Sequence, residues 1–468
     1  MRILVFALLL TVVSQCVIGS SSFSLIEMKG FQWARKYARR WMSESAFTGG
    51  RFPSTSGHGS SGPSNANLGP NLRFPYRITL RLASTEDKSF PRQSRPTSDS
   101  ENMSTSTIFV HEDMTVKDAL QKSVQALQTH DAPEPELSAC HLLSQVLSLP
   151  PSNGFSFLLE ILDNDTTHQE ISQRRLQCDE AEQYKSMLLR RLQHEPIQYI
   201  LGEWDFYDFT LKCRAPILCP RPETEELVDW VRQDIISSMN TQRLNNNQNE
   251  TEGKRIRILD VGCGTGAIGL ALARLFPDAE VVAIDISPEA VKLSMENAAM
   301  LQINTGDTAS ITSCVKGCRY QALCCSAKDF TNQYKQATNK PQPFQFEFDF
   351  VVSNPPYIPP SDMNSLTRDV IQYESHLALC GGGNDGLDVI RDIVERLPEW
   401  TRDAAFGKGD LFMEVDTSHP VLIEQWLGSD CTDADATNSA FFVESRKDVF
   451  GKDRFVKVRA VKMSGAVP

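Results

Sequence analysis

The chain has 468 residues, 41% of them hydrophobic and 23% charged, which is enough to bury two folded domains beside extensions. Its formal net charge of −12 disfavours a surface built to neutralise phosphates and suits a neutral or cationic protein partner. Beyond the amino-terminal stretch no apolar run approaches eighteen residues, so no membrane-spanning helix is expected in the mature protein.

Residues 1–22 read as a signal peptide: Arg2 precedes an apolar run over 3–13, and small residues cluster at 19–22. Residues 23–110 read as a transit-like disordered presequence. Between Met28 and Thr85 nine Lys or Arg stand against a single acid, Glu44, amid many serines. The tandem resembles the bipartite presequence that routes proteins through the ER into plastids of secondary-endosymbiotic algae. A mitochondrial or secretory destination is the alternative. The twelve cysteines are scattered, and Cys140, Cys213 and Cys219 sit in apolar runs, so buried reduced thiols are expected. Cys314, Cys318, Cys324 and Cys325 lack the paired spacing of zinc knuckles, and no metal is expected.

Residues 111–196 carry apolar residues at helical spacing, broken over 131–135 and ending at Pro196, which predicts a small helical domain. Residues 197–219 alternate aromatic and β-branched residues with polar ones, which predicts a connecting hairpin over 197–213 with its turn near Gly202 or Asp208. Pro222 suits a first helical turn, and Glu223, Glu225 and Glu226 complement its dipole. From Arg255 the pattern becomes strand 256–261, helix 267–275, strand 280–284 and helix 288–300. Such alternation predicts a doubly wound parallel sheet within 220–464. A long irregular segment over 302–346 is expected to hold one strand, 320–326; then come a strand over 348–352 and two late strands, "DLFMEV" and "RFVKVRAV".

Asp260-Val261-Gly262-Cys263-Gly264-Thr265-Gly266 follows one of those strands and opens a helix. Glycines there let the backbone approach a ligand that any Cβ would repel. Asp285 ends the next strand, where an acid accepts from ribose hydroxyls. Together these indicate a nucleoside cofactor. Gly262, Gly264 and Ala267 also fit the relaxed dinucleotide fingerprint, so NAD stays open on this loop alone. Asp260 can either organise the loop or meet a cofactor ammonium, and Cys263 and Thr265 lie in the same cradle.

"FDFVVSNPPYIPP" ends a strand-forming run in Asn354-Pro355-Pro356-Tyr357. The Asn354 side-chain oxygen and the Pro355 carbonyl can both accept hydrogen bonds, while the two prolines stiffen the turn and carry no N–H. Two convergent acceptors suit an –NH2 group, and Tyr357 offers a face for a planar amide or a cationic methyl. An –NH2 beside a nucleoside cofactor indicates methyl transfer from S-adenosylmethionine, which demands alignment rather than a general base. His376, alone in a downstream loop, reads as an ordinary histidine.

"EPIQYILGEWDFYDFTLKC", "PRPETEELVDW", "LDVGCGTGAIGLALA", "VVSNPPYI" and "YESHLALCGGGNDGLDVIRDIV" in this order resemble the peptide-chain release factor glutamine N5-methyltransferases, the HemK-type protein methyltransferases, over about residues 112–462. The resemblance implies an α/β, Rossmann-like class I S-adenosylmethionine-dependent methyltransferase domain behind a small helical domain that docks the release factor. It implies methylation of the glutamine side-chain amide in a Gly-Gly-Gln loop. It assigns S-adenosylmethionine contacts to residues 262–266, Asp285 and Asn354, with the acid–aromatic pair Asp329-Phe330 as a further contact, and it has Asn354, Pro355, Pro356 and Tyr357 hold the glutamine. A monomer without direct nucleic-acid contact is expected. Ser375 and His376 follow Tyr373-Glu374 where the family usually has proline. The alternatives are an N6-adenine nucleic-acid methyltransferase, which shares the Asn-Pro-Pro-Tyr turn, a dehydrogenase, and a non-catalytic cofactor-binding regulator.

Overall fold

A computed structural model describes residues 110–150, 154–163, 167–244, 255–305, 318–330, 332, 348–401, 409–428 and 440–460. The expected signal and transit segments and Cys314 lie outside the described residues. The helical region comprises α1 (Val116–Thr129), α2 (Pro135–Val146), α3 (Gly154–Leu162), α4 (Gln169–Gln173), α5 (Cys178–Leu192) and α6 (Ile197–Leu201). Thr115 starts α1 by accepting from the Asp118 N–H at 3.1 Å, and Gln177 and Glu180 close a reciprocal capping box on α5. Leu120, Leu127, Leu142, Leu143 and Leu158 fill the core between these helices around Tyr184, whose hydroxyl donates to the Ala139 carbonyl at 3.2 Å.

The hairpin is shorter than the sequence predicts. Its strands are β1 (Glu203–Phe206) and β2 (Phe209–Lys212), turning at Tyr207 and Asp208 with Tyr207 at φ +59°. Residues 197–201 are helical instead: Pro196 sets the entry, Ile197, Tyr199 and Ile200 are buried, and Gly202 closes the turn at φ +80°. Five residues with three buried apolar side chains fit a single helical turn as well as a strand, and packing on the helical core decides between them.

Next come α7 (Pro222–Leu244), β3 (Arg257–Val261), α8 (Ala267–Leu275), β4 (Glu280–Asp285), α9 (Pro288–Met300), β5 (Tyr320–Cys324), β6 (Phe350–Ser353), α10 (Arg368–Tyr373), α11 (Asp388–Trp400), β7 (Asp410–Glu414), α12 (His419–Leu427), β8 (Ala440–Lys447) and β9 (Asp453–Ala460). Among the described residues these strands make one seven-stranded sheet in the order β5-β4-β3-β6-β7-β9-β8. β5 to β7 run parallel, and β9 pairs antiparallel with both β7 and β8. β6 begins two residues later than expected: the Phe348 N–H donates to the Trp400 carbonyl at 3.0 Å, and pairing with β3 starts at Phe350 opposite Ile258. The sequence reading assigned nothing to α11, α12 and β8.

One face of the sheet packs on α7, α8 and α9 through residues such as Ile258, Leu270, Val291 and Phe412, with Trp230 edge-on to Phe412 at 5.1 Å. The other packs on α11 and α12 through Leu259, Val351, Ile393, Trp400 and Ile423. The winding reverses between β3 and β6, which are direct neighbours, so their carboxyl ends flank the crevice where open α/β sheets take ligands. Hydrogen bonds between the helical region and this sheet domain include Tyr199 hydroxyl to Ile217 carbonyl at 2.6 Å and Tyr373 hydroxyl to Gln193 carbonyl at 3.0 Å. Among the described residues no helix is long and apolar enough to cross a membrane.

Candidate active site

Beyond β3 the chain turns sharply. The N–H groups of Gly262 and Cys263 both donate to the Ile284 carbonyl, at 2.8 and 3.1 Å, which ties the loop to the end of β4. Gly262 and Gly266 lie at φ +74° and +85°, a region that strains any other residue. A Cβ on Gly266 would come within 2.9 Å of Leu270 and 3.0 Å of Ser294. A Cβ on Gly262 would instead occupy the gap toward β6, with the Asn354 carbonyl oxygen 4.0 Å away. No other atom beyond its chain neighbours lies within 4 Å of that position, so glycine leaves space open beside Asn354. Asp285 closes its far side: its carboxylate accepts from the Gly264 and Ser287 N–H groups, each at 2.9 Å. Burial pushes its pKa up and those backbone donors oppose the shift. Each oxygen keeps a lone pair for a ligand hydroxyl. Asn297, on α9, pins the loop from behind, donating to the Thr265 carbonyl at 2.9 Å and bridging to Lys212 of β2.

Several expected cofactor contacts turn out differently. Asp260 shares a sheet face with Ile258, under α8, so its carboxylate accepts from the Gly269 N–H at 2.9 Å and is 1% exposed. Burial pushes it up to about 7. Asp260 therefore ties the end of β3 to the first turn of α8. Cys263 is buried in the same core with its thiol pushed far up by desolvation, so its side chain is filler. Thr265 is likewise buried and contributes its carbonyl to Asn297. Phe330 is fully buried between Phe348 and Trp400, with ring centroids 6.3 and 6.2 Å away, and offers no face to the crevice. Its partner Asp329 is exposed and exchanges hydrogen bonds with Ser326 at 2.8 and 3.0 Å, capping a local turn. In the Asp329-Phe330 pair the aromatic is core and the acid caps a turn, so neither faces the crevice as expected.

The second half of the site stands at the tip of β6. Register pairs Ser353 with Val261 on β3 and with Met413 on β7, and the Ser353 hydroxyl donates to the Val261 carbonyl at 2.7 Å. Asn354 thus emerges between the glycine loop and Glu414, the last residue of β7. Its Nδ2 donates to the Thr224 hydroxyl at 3.2 Å, and that hydroxyl donates to Glu414 Oε2 at 2.7 Å. The Tyr357 hydroxyl reaches Glu414 Oε1 at 3.4 Å, and burial pushes both groups up in pKa. Pro355 is buried, while Pro356 and Tyr357 are half-buried. Thr224 and Glu414 were not foreseen as site residues. The signals were there: Thr224 lies in the first turn of α7 within "PRPETEE", and Glu414 is a lone acid in an apolar strand.

The glycine-rich segment after Leu379 braces the turn. Ile358 exchanges backbone hydrogen bonds with Leu379 and Gly381 at 2.9 and 3.0 Å. A Cβ on Gly386 would lie 2.3 Å from the Tyr357 carbonyl oxygen. Arg221 anchors the neighbouring loop by a two-oxygen ion pair to Glu374, at 2.8 and 2.6 Å, the carboxylate being buried. The Ser375 N–H donates to the Pro216 carbonyl at 2.8 Å, a bond that proline at this position could not make. His376 is exposed and bonded only locally, to the Ile371 carbonyl at 3.0 Å.

Two family models match the chain: a methyltransferase domain over residues 252–311 and the PrmC N-terminal domain over 118–202. The Homo sapiens protein named MTRF1L release factor glutamine methyltransferase is 34% identical over 291 residues, covering 62% of this chain and 73% of that protein. The release factor glutamine methyltransferase of Flavobacterium psychrophilum is 32% identical over 278 residues, covering 59% and 79%. That of Koribacter versatilis is 31% identical over 287 residues, covering 61% and 82%. The first family match agrees with the wound sheet and its glycine loop, which make a methyltransferase domain. An N-terminal domain and a methyltransferase domain thus stand in one chain, and with a relative 34% identical over 73% of its own length the chain belongs to the release factor glutamine methyltransferase family.

Proposed function

We propose that this chain methylates the side-chain amide nitrogen of the glutamine in the Gly-Gly-Gln loop of a peptide chain release factor. The observation that carries the reading is the position of Asn354, whose carboxamide is anchored by its nitrogen edge to Thr224 beside the Gly262 cradle. That leaves an oxygen edge, and the Pro355 carbonyl, to accept from an incoming –NH2 group. S-adenosylmethionine supplies an already activated methyl group. Residues 262–266 and Asp285 would hold it, with Asn354 at the boundary between cofactor and substrate.

An amide nitrogen is a weak nucleophile because its lone pair is delocalised. Oxygens accepting both of its hydrogens stabilise the positive charge that develops during attack, so they act more strongly in the transition state than in the ground state. Pro355 and Pro356 keep the turn from relaxing, and the Tyr357 ring walls the site against water. The names of the relatives support a release factor as the substrate, and the helical region is the candidate docking surface. Residues 23–110, basic and serine-rich, support work inside an organelle, a plastid before a mitochondrion.

The test uses the full chain, S-adenosylmethionine with an isotopic methyl, and a release factor, with the product located by mass spectrometry. Label is expected on the glutamine of the Gly-Gly-Gln loop and is lost on Gln→Ala there. Label on adenine of added DNA or RNA, with none on protein, would overturn the reading.

A further inference from the structure

We propose that Glu414 is a positioning residue: through the Thr224 hydroxyl it dictates which edge of the Asn354 carboxamide faces the substrate, and through the Tyr357 hydroxyl it steadies the same turn. The inference rests on the amide-methylation reading above.

A carboxamide has two edges of nearly equal shape and opposite polarity. Nothing within an asparagine selects one. At this site the choice decides whether the enzyme presents an acceptor or a donor to the –NH2 it must hold, and a donor would repel it. The selection comes from a chain of hydrogen bonds with one direction. Glu414, 2% exposed at the tip of β7, can only accept hydrogen bonds when it is ionised. The single hydrogen on the Thr224 hydroxyl therefore goes to Glu414 Oε2, at 2.7 Å. What Thr224 then turns toward Asn354 is a lone pair, and a lone pair at 3.2 Å accepts only the Nδ2 edge. Sheet register supports the arrangement: Ser353 pairs with Met413, so Asn354 and Glu414 are adjacent tips, while the first turn of α7 brings Thr224 across both.

An ionised acid in an apolar strand is costly, and a purely structural tie between α7 and the sheet could use neutral groups. Burial pushes the Glu414 carboxyl up in pKa, and the groups around it oppose that rise only in part. Arg454 on β9 acts on it favourably and Glu223 on α7 opposes, while Thr224 and Tyr357 occupy its two oxygens. Both hydroxyls that it receives belong to, or hold, residues of the reacting turn.

The experiment measures single-turnover methyl transfer, the KM for release factor, calorimetric affinity for S-adenosylmethionine and the thermal midpoint. It compares the full chain with Thr224→Val, Thr224→Ser and Glu414→Gln. Thr224→Val keeps the shape and removes the relay; the expected loss of rate is about 10- to 100-fold, with cofactor affinity within about threefold. Thr224→Ser restores the hydroxyl and is expected to return the rate to within about threefold of the parent. Glu414→Gln can turn either edge to Thr224, so direction is no longer enforced, and a loss of about tenfold or more is expected even where the thermal midpoint is unchanged. The proposal is overturned if Thr224→Ser is as slow as Thr224→Val, if the losses track thermal midpoint or cofactor affinity, or if Glu414→Gln transfers at the parental rate. A parental chain that methylates no amide at all overturns the functional reading and this proposal with it.

Discussion

On the proposed function Asn354 works with one planar group: its nitrogen edge donates inward to Thr224, and its oxygen edge serves the substrate. Asn354→Ala removes both. A loss of transfer of about 10²- to 10³-fold is expected, the range seen when one preorganised hydrogen-bonding group is deleted from a charge-stabilising site. Cofactor affinity, held mainly by the loop over 262–266 and by Asp285, is expected to change far less. Comparing calorimetric binding with single-turnover rate checks this, and a parallel fall in both would contradict it. Asn354 was legible in the sequence because an apolar run that ends in two prolines must end at something. Thr224 and Glu414 were not, since they lie 130 and 60 residues from Asn354 and only the sheet brings them together. Phe330 was misread for a related reason: an aromatic beside an acid has the same local signature whether it stacks on a ligand or fills a core, and burial alone separates the two.

Among the elements, the glycine-rich segment over 381–386 is a brace, and its glycines are conformational requirements. Gly386 sits at φ +76° with the Tyr357 carbonyl oxygen 2.3 Å from where a Cβ would stand. Gly386→Ala forces either the brace or the turn to move. It is expected to cost about 1–3 kcal/mol of stability, as overpacking does, with a drop in transfer rate larger than the stability loss explains. Thermal unfolding and kinetics measured on the same preparation test it; an unchanged rate would show that the turn holds its shape unaided. Elements with a long repeat were legible: α8, β4 and α9 start and stop within a residue of the sequence reading. Short elements were not, because the run over 197–201 satisfies two periodicities and only contact with the helical core makes it helical. β8 escaped notice because its second half, Glu444 to Lys447, is charged and partly exposed at the sheet edge, where alternation fades.

For the whole molecule, sheet order made the functional reading possible. β3 and β6 are 92 residues apart at Val261 and Ser353, and no local pattern states that they are partners. The inference from sequence drew on the general rule for ligands in wound sheets, and the observed order agrees with it. The destination of the chain is a separate matter, carried by composition alone. Residues 1–110 fused to a fluorescent protein are expected to enter the plastid of an alga with a secondary plastid, and to stop in the ER once residues 23–110 are deleted. Signal in mitochondria, or secretion of the complete fusion, would contradict it. The direct pairing of β3 with β6 carries one more consequence. Neighbouring strands are about 4.8 Å apart, a spacing set by their ladder of hydrogen bonds. The reach between methyl donor and acceptor is therefore gauged by backbone, and it cannot stretch to suit a visitor. On the proposed function, any adaptation then has to come from the incoming substrate segment, which must be pliant enough to present its amide at that spacing.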